Sequence, residues 1–322
     1  MILLELKKKW DQLSINSSSK GFKSLRISSQ CFSDLFIGVD QEGNRSLILS
    51  LPSGFDFHFD GIIKENMKIE FFKEKNVIVL QLCDKSFYDL FDDLILSLYS
   101  RIRDIEEPNE YCKELIYTFS RWSEFFESKS NDLLDENVIK GLFGELLVLK
   151  SLVVQSNVHT INQTLLSWQG PYDKAHDFEL SNKNLEVKTK DLSQIDIKIS
   201  SEFQLQNELG KTLELVVVIV ERNSIVGICI SDLVLEIKKN IVELLGDSFI
   251  FLKAIGQKRI TQKNMYQYDK ILFKPIQIIA YDCSLNDFPK LIRNNIPKEI
   301  NKVIYNLRIS ELKKFIISKT NF

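Results

Sequence analysis

The chain has no cysteine arrangement that points to zinc or to a disulfide framework. Its five cysteines, Cys31, Cys83, Cys112, Cys229 and Cys283, are scattered and odd in number, and no CxxC pair occurs. Reduced thiols in a cytoplasm are the expected state. It also lacks long apolar runs: the longest, Leu215 to Val220, suits a strand and is far too short to span a membrane. No secretory leader is expected, because Lys7, Lys8 and Lys9 follow the short apolar start instead of preceding it. No GxxxxGK[ST] loop occurs, which argues against an ATP motor within this chain, and no internal repeat is visible. Charge of one sign is missing too. A net charge of −2 does not advertise a nucleic-acid binder, so any basic surface must be local.

What is present suits a soluble globular protein, with 44% hydrophobic and 27% charged residues over 322 positions. Residues 1–84 read as a β-rich region of four to six short strands, with turn signals at 40–43, 52–54 and 73–76. Residues 85–130 read as a helical connector. Leu90, Leu94 and Leu98, then Leu115, Phe119, Trp122 and Phe126, recur at helical spacing, and Pro108 separates the two helices. The stretch from Asp84 to Glu136 carries 14 acidic and 6 basic residues and is expected to be a solvated face. From residue 131 the order is helix, hairpin, strand, helix, strand, an α/β pattern expected to form one core over 131–283. Residues 284–322 read as a helical extension.

The chemistry concentrates in Asp177-Phe-Glu-Leu-Ser-Asn-Lys-Asn-Leu-Glu186-Val-Lys188. Phe178 and Leu180 alternate with Asp177 and Glu179, and Leu185 and Val187 alternate with Glu186 and Lys188, across a turn at 181–184. Pairing Leu180 with Leu185 sets Phe178 opposite Val187, Asp177 opposite Lys188 and Glu179 opposite Glu186. Asp177, Glu186 and Lys188 then share one face, with directly opposed pairs about 5 Å apart. Two carboxylates and an ammonium suit metal-assisted phosphodiester hydrolysis. The carboxylates provide oxygen ligands for Mg²⁺, and Lys188 orients the attacking water or stabilises the transition state. A charged, alternating hairpin is equally the wet face of an ordinary sheet.

Other residues bear on the same site. Glu145 falls in a helical stripe with Val138, Leu142, Leu149 and Leu152, where an ionised carboxylate is costly unless paired or metal-bound. Gly141 and Gly144 would let that helix approach a sheet closely. After a strand at 195–200, Ser201 and Gln204 fit a capping box at a helix start. That helix end, with Ser200, is a candidate phosphate contact. His176 either touches substrate or is a hydrogen-bonded structural group, and Trp168 reads as core or lid. Residues 251–275 hold six basic side chains against one acidic, and residues 290–319 eight against two. Within the first of these, Lys258 and Arg259, with Lys253, Lys263, Tyr266 and Tyr268, are candidates for backbone-phosphate contact. A solvated loop or helix face is the alternative for each.

Taken together, Gly141-Leu-Phe-Gly-Glu-Leu-Leu, Trp168-Gln-Gly-Pro, His176-Asp-Phe-Glu, Leu185-Glu-Val-Lys-Thr and Ile199-Ser-Ser-Glu-Phe-Gln-Leu resemble the PD-(D/E)XK nuclease superfamily. They are closest to an uncharacterised bacterial family known simply as PD-(D/E)XK motif proteins, and cover about residues 140–205. The resemblance implies an α/β (α+β) restriction-endonuclease-like core with a mixed central sheet flanked by helices. It also implies divalent-metal nuclease chemistry and a link to restriction or phage defence. Carried over, the acidic helix residue is Glu145, the motif Asp is Asp177 and the (D/E)XK pair is Glu186 and Lys188. His176 stands where the motif name has proline.

The expectation is therefore a cytoplasmic endonuclease using Mg²⁺ or Mn²⁺ held by Asp177, Glu186 and Glu145. It would act on nucleic acid, with double-stranded DNA the expected substrate, as a homodimer or with defence-system partner proteins, and away from membranes. Two alternatives stay open: a nucleic-acid-binding subunit of the same fold that needs a partner to cut, and a structural protein with a charged hairpin.

Overall fold

The computed structural model describes residues 3–14, 23–127, 133–223 and 225–322. The chain divides into two compact units, residues 1–131 and 132–322. The helical connector expected at 85–130 falls within the first.

The first unit opens on α1 (Leu3–Ser14), whose Leu6, Trp10 and Leu13 are buried. The strands β1 (Lys23–Arg26), β2 (Asp34–Val39), β3 (Arg45–Ser50), β4 (Ile62–Ile63), β5 (Met67–Phe72) and β6 (Val77–Leu82) form an antiparallel sheet in the order β1-β2-β3-β6-β5-β4. The six strands fall at the upper end of the four to six expected, and a turn separates β1 from β2. Two helices follow, α2 (Tyr88–Ile102) and α3 (Pro108–Trp122). Pro108 occupies the first turn of α3, where its missing N–H costs nothing. The spaced residues Leu90, Leu94, Leu98, Leu115, Phe119 and Trp122 are all buried. One buried polar node ties three elements together. Asp92 on α2 accepts from Trp10 Nε1 at 2.7 Å and from Arg45 Nη1 at 2.9 Å, while the Arg45 guanidinium lies between the Trp10 and Tyr88 rings.

The second unit is built on α4 (Glu136–Val154), α5 (Ile161–Ser167), β7 (Phe178–Glu179), β8 (Lys183–Asp191), β9 (Asp196–Ile199), β10 (Thr212–Arg222), α6 (Ile230–Glu243), α7 (Ser248–Gln257), β11 (Phe273–Asp282), β12 (Tyr305–Arg308) and β13 (Ile316–Asn321). Its central sheet runs β13-β11-β10-β8-β7 and is mixed: β8 and β10 are parallel, the other neighbours antiparallel. The apolar run Leu215 to Val220, β-branched from Val216 onward, puts β10 at the centre, paired on both edges and buried on both faces. Opposite it, β11 carries Pro275, which has no N–H to give the ladder, and the register shifts there, between Ile219 and Val220. One face of the sheet, with Leu185, Val187, Val216 and Val218, packs on residues of α4, α6 and α7. The other, with Leu213, Leu215, Val217, Ile279 and Tyr281, packs on Ile197 and Ile199 of β9, Leu307 of β12, and Phe288, Leu312 and Phe315. The mixed α/β core expected from the sequence is therefore present.

Three expectations are corrected. The tail 284–322 is not a helical extension: β12 pairs with β9, and β13 completes the edge of the central sheet. The β-branched Ile316, Ile317 and Thr320 suit a strand, and pairing with β11 outweighs local helix preference. No helix follows β9; residues 200–205 form turns. The helix expected from residue 131 begins at Glu136, capped by Asp135, whose Oδ1 accepts from Asn137 N at 2.8 Å; residues 131 and 132 lie outside the described ones.

Candidate metal and phosphodiester site

Two elements set the frame. On β8, alternation sends Leu185, Val187 and Thr189 to one side of the strand and Glu186, Lys188 and Lys190 to the other. The hairpin closes through Leu180 N donating to Lys183 O at 2.9 Å, and pairs Phe178 with Leu185 and Glu179 with Asn184. That register differs by two residues from the expected one, which set Leu180 against Leu185. A shift of two keeps every side chain on its own face. It brings Asp177 to the level of Glu186 instead of Lys188, with Asp177 Oδ2 accepting from Val187 N at 2.7 Å. Glu179, expected opposite Glu186, faces Asn184 and is exposed.

The second element is α4. A Cβ on Gly144 would stand 1.8 Å from Thr189 Oγ1, so this glycine is what lets the helix lie against β8. Gly141, expected to share that role, has open space where its Cβ would be. The stripe expected around Glu145 is also only partly right. Leu142 and Leu149 are buried, but Val138 is exposed and Leu152 half-buried, because α4 packs against both β8 and α6. Glu145 follows Gly144 directly. Its Oε2 accepts from Trp168 Nε1 at 2.8 Å, and its Oε1 lies 3.7 Å from Lys258 Nζ at the end of α7.

Gly170 marks where the carboxylates meet. A Cβ there would fall 2.5 Å from Glu145 Oε2 and 2.8 Å from Asp177 Oδ1, so these two oxygens line the space that the missing side chain leaves. Glu186 is buried to 1% exposure with its Oε1 2.7 Å from Lys188 Nζ. Burial raises all three carboxyl groups. Glu145 is pushed up to about 7 by burial and then by the Asp177 charge, against the pull of Lys258, the Trp168 hydrogen bond and Lys188. Glu186 is pushed up to about 8 by burial, with Lys188 opposing. Asp177 is raised by burial, against the Val187 N–H and the two lysines. Three crowded carboxylates with two lysines lack full compensation, the condition a divalent cation relieves.

The donor set consists of carboxylate oxygens, which suits a hard divalent cation, and the gap at Gly170 gives Glu145 and Asp177 common access to one position. Among the described residues, no group of three or more acidic, His or Cys side chains already stands in coordinating arrangement. Glu186 is turned to Lys188 and Glu145 to Trp168. The residues fit such an ion in chemistry and access.

The other expected contacts divide. Lys258 reaches the carboxylates, whereas Arg259 is exposed in a left-handed turn (φ 59°). Tyr268 is buried, with its hydroxyl accepting from Leu134 N, so it is no phosphate contact. His176 is a buried imidazole whose Nδ1 accepts from Asn184 Nδ2 at 3.2 Å; Asn184 also donates to Glu208. Burial lowers its pKa, against the pull of the Gln206 backbone and nearby carboxylates. This is the structural alternative for His176. Gln204 Oε1 accepts from Ser200 N at 2.8 Å, and Ser201 Oγ from Phe203 N at 3.2 Å, so these residues close a turn and offer no helix end to a phosphate. Sequence reasoning took Trp168 for core or lid and missed its hydrogen bond to Glu145. The nearness of the WQGP stretch to the motif Asp was the available signal.

No helix among the described residues is long and apolar enough to cross a membrane. No curated protein and no solved structure matches the chain. The model of one family, described as "Putative PD-(D/E)XK family member, (DUF4420)", matches residues 6–310. Nuclease-like families of this kind use divalent metals in general, in keeping with the carboxylate set above. Matched over nearly its whole length, on a mixed α/β core, the chain belongs to this PD-(D/E)XK family.

Proposed function

We propose that the protein is an endonuclease that hydrolyses phosphodiester bonds of double-stranded DNA with Mg²⁺ or Mn²⁺ held by Asp177, Glu186 and Glu145. The observation that carries this reading is the meeting of Glu145 and Asp177 at the gap of Gly170, with Lys258 beside Glu145 and the buried Glu186–Lys188 pair within electrostatic reach of both carboxylates. When bound, the cation supplies Lewis acidity to the phosphate and acidifies a water. Lys188, on the same side of β8 as Glu186, donates to the attacking water or to a phosphoryl oxygen as charge develops. Lys258 and, farther out, Arg259 supply positive charge for the DNA backbone.

The sequence resemblance supports a setting in restriction or phage defence, with a homodimer cutting both strands or with partner proteins encoded elsewhere. Incubating plasmid, linear duplex and single-stranded DNA with Mg²⁺ or Mn²⁺ tests the reading. Metal-dependent cleavage of duplex DNA that disappears in Asp177→Ala, Glu186→Ala and Lys188→Ala is the expected result. Full activity in any folded one of these overturns its assigned role.

A further inference from the structure

We infer that the tripeptide Trp168-Gln169-Gly170 is the positioning element of the metal site, and that the Trp168 indole sets the Glu145 carboxylate for the cation. The inference rests on the metal-site reading of Asp177, Glu186 and Glu145 proposed above.

Three observations from one short stretch carry it. Trp168 Nε1 donates to Glu145 Oε2 at 2.8 Å, fixing one oxygen of a side chain that comes from a different element. Gln169 N and Gly170 N both donate to Asp177 O, at 2.7 and 3.0 Å, so the same stretch pins the main chain of the second carboxylate. Gly170 then leaves open the space that both carboxylates face. The indole itself cannot drift. Trp168 is 1% exposed, bridges to Phe178 in the sheet and stacks on Phe251 of α7 with ring centroids 6.2 Å apart. A rigid donor of this kind fixes the free lone pairs of a carboxylate toward the ion, as hydrogen-bond partners behind metal ligands do. An indole N–H suits the task because it donates only and stays neutral at any working pH, so it neither repels the cation nor competes for it as a ligand. Lys258, on the other Glu145 oxygen at 3.7 Å, is the looser partner and is free to turn to a phosphate.

The probe is Mn²⁺ alone, without substrate, on the full chain. Calorimetry is run on wild type, Trp168→Phe, Glu145→Ala and the double variant, with circular dichroism on each. Trp168→Phe keeps an aromatic ring in the core and removes the donor together with the pyrrole half of the indole, and circular dichroism and the Glu145→Ala background separate the two losses. The expected result is Mn²⁺ affinity weakened roughly 10-fold or more in Trp168→Phe, within the range such supporting contacts carry, and no further weakening when Trp168→Phe is added to Glu145→Ala. Labelling with 5-fluorotryptophan gives a readout that needs no variant to fold. The chain has three tryptophans, and substoichiometric Mn²⁺ should broaden one ¹⁹F resonance selectively, that of Trp168. Equal Mn²⁺ affinity in wild type and folded Trp168→Phe, or equal weakening in the Glu145→Ala background, overturns the inference and leaves the metal site standing. Selective broadening of another tryptophan would put the ion away from Glu145 and Asp177 and overturns the metal-site reading and this inference with it. No Mn²⁺ binding by wild type overturns the metal-site reading and this inference with it.

Discussion

Gly144→Ala probes how tightly the geometry of the site depends on one backbone approach. The added Cβ would stand 1.8 Å from Thr189 Oγ1, 3.1 Å from its Cβ and 3.3 Å from its Cγ2. Rotating Thr189 only exchanges one branch for the other, so α4 must move off β8. Overpacking of this severity costs up to about 3 kcal/mol. The better helix propensity of alanine returns about 1 kcal/mol. The net loss is about 2 kcal/mol, a fall in Tm of roughly 4–8 °C for a unit of this size. Because Glu145 is the next residue, Mn²⁺ affinity should fall as well. Thr189→Ala removes both branches, leaving only a Cβ that a small shift accommodates. Added to Gly144→Ala, it should recover most of the stability, a coupling of at least about 1 kcal/mol in a double-mutant cycle. Thermal and urea unfolding with Mn²⁺ titration measures all of this. Wild-type stability in Gly144→Ala, or no recovery on adding Thr189→Ala, refutes the claim that this contact sets the position of the helix.

Stability without metal should depend on pH through Glu145 and Glu186. Their pKa values are raised in the fold from 4.5 to about 7 and about 8, so between pH 5 and 8 the native state holds protons that the unfolded chain has lost. Their stabilising contribution is complete below about pH 4.5 and is lost as pH rises through 7 to 8; saturating Mn²⁺ should flatten that slope. Urea unfolding across this range with and without EDTA checks it, and a slope of opposite sign contradicts it. In the first unit, Arg45→Ala leaves the Asp92 carboxyl, itself raised to about 6 by burial, with Trp10 as its one side-chain hydrogen-bond donor among the described residues, and also empties the space between Trp10 and Tyr88. A loss of about 3 kcal/mol is expected on denaturant unfolding, and less than 1 kcal/mol would show that the node is not structural. Lys258→Gln should weaken duplex DNA binding and its salt dependence more than it weakens Mn²⁺ affinity; the reverse pattern would make Lys258 chiefly a partner of Glu145.

Much of the site was legible because strand alternation is a strong rule. Glu186 and Lys188 share a face in any register, and Asp177 lies near them whether the hairpin slips by two residues or not. The register itself was not legible. Composition marks 181–184 as a turn, but the Leu180–Lys183 bond that closes it is a matter of backbone geometry. Glu145 was found from the conflict between a carboxylate and its apolar neighbours, although the stripe used to find it was narrower than the buried surface of α4. The helix after β9 and the helical tail were misread for one reason: local capping and propensity signals are small beside long-range pairing. β9 finds β12 more than a hundred residues later, and β13 finds β11. The contacts of Trp168 and Lys258 with Glu145 are long-range too, and no spacing rule encodes them.

The most direct test of the central claim is metal-dependent cleavage of duplex DNA by wild type beside Lys188→Ala, with folding checked by circular dichroism. Lys188 touches Glu186 without being a metal ligand, so its loss separates chemistry from ion binding. Wild type should cleave with Mg²⁺ or Mn²⁺ and not with EDTA, and a folded Lys188→Ala that still binds Mn²⁺ should cleave at least about 100-fold more slowly. Cleavage at the wild-type rate by that variant, or cleavage that persists in EDTA, would contradict the claim.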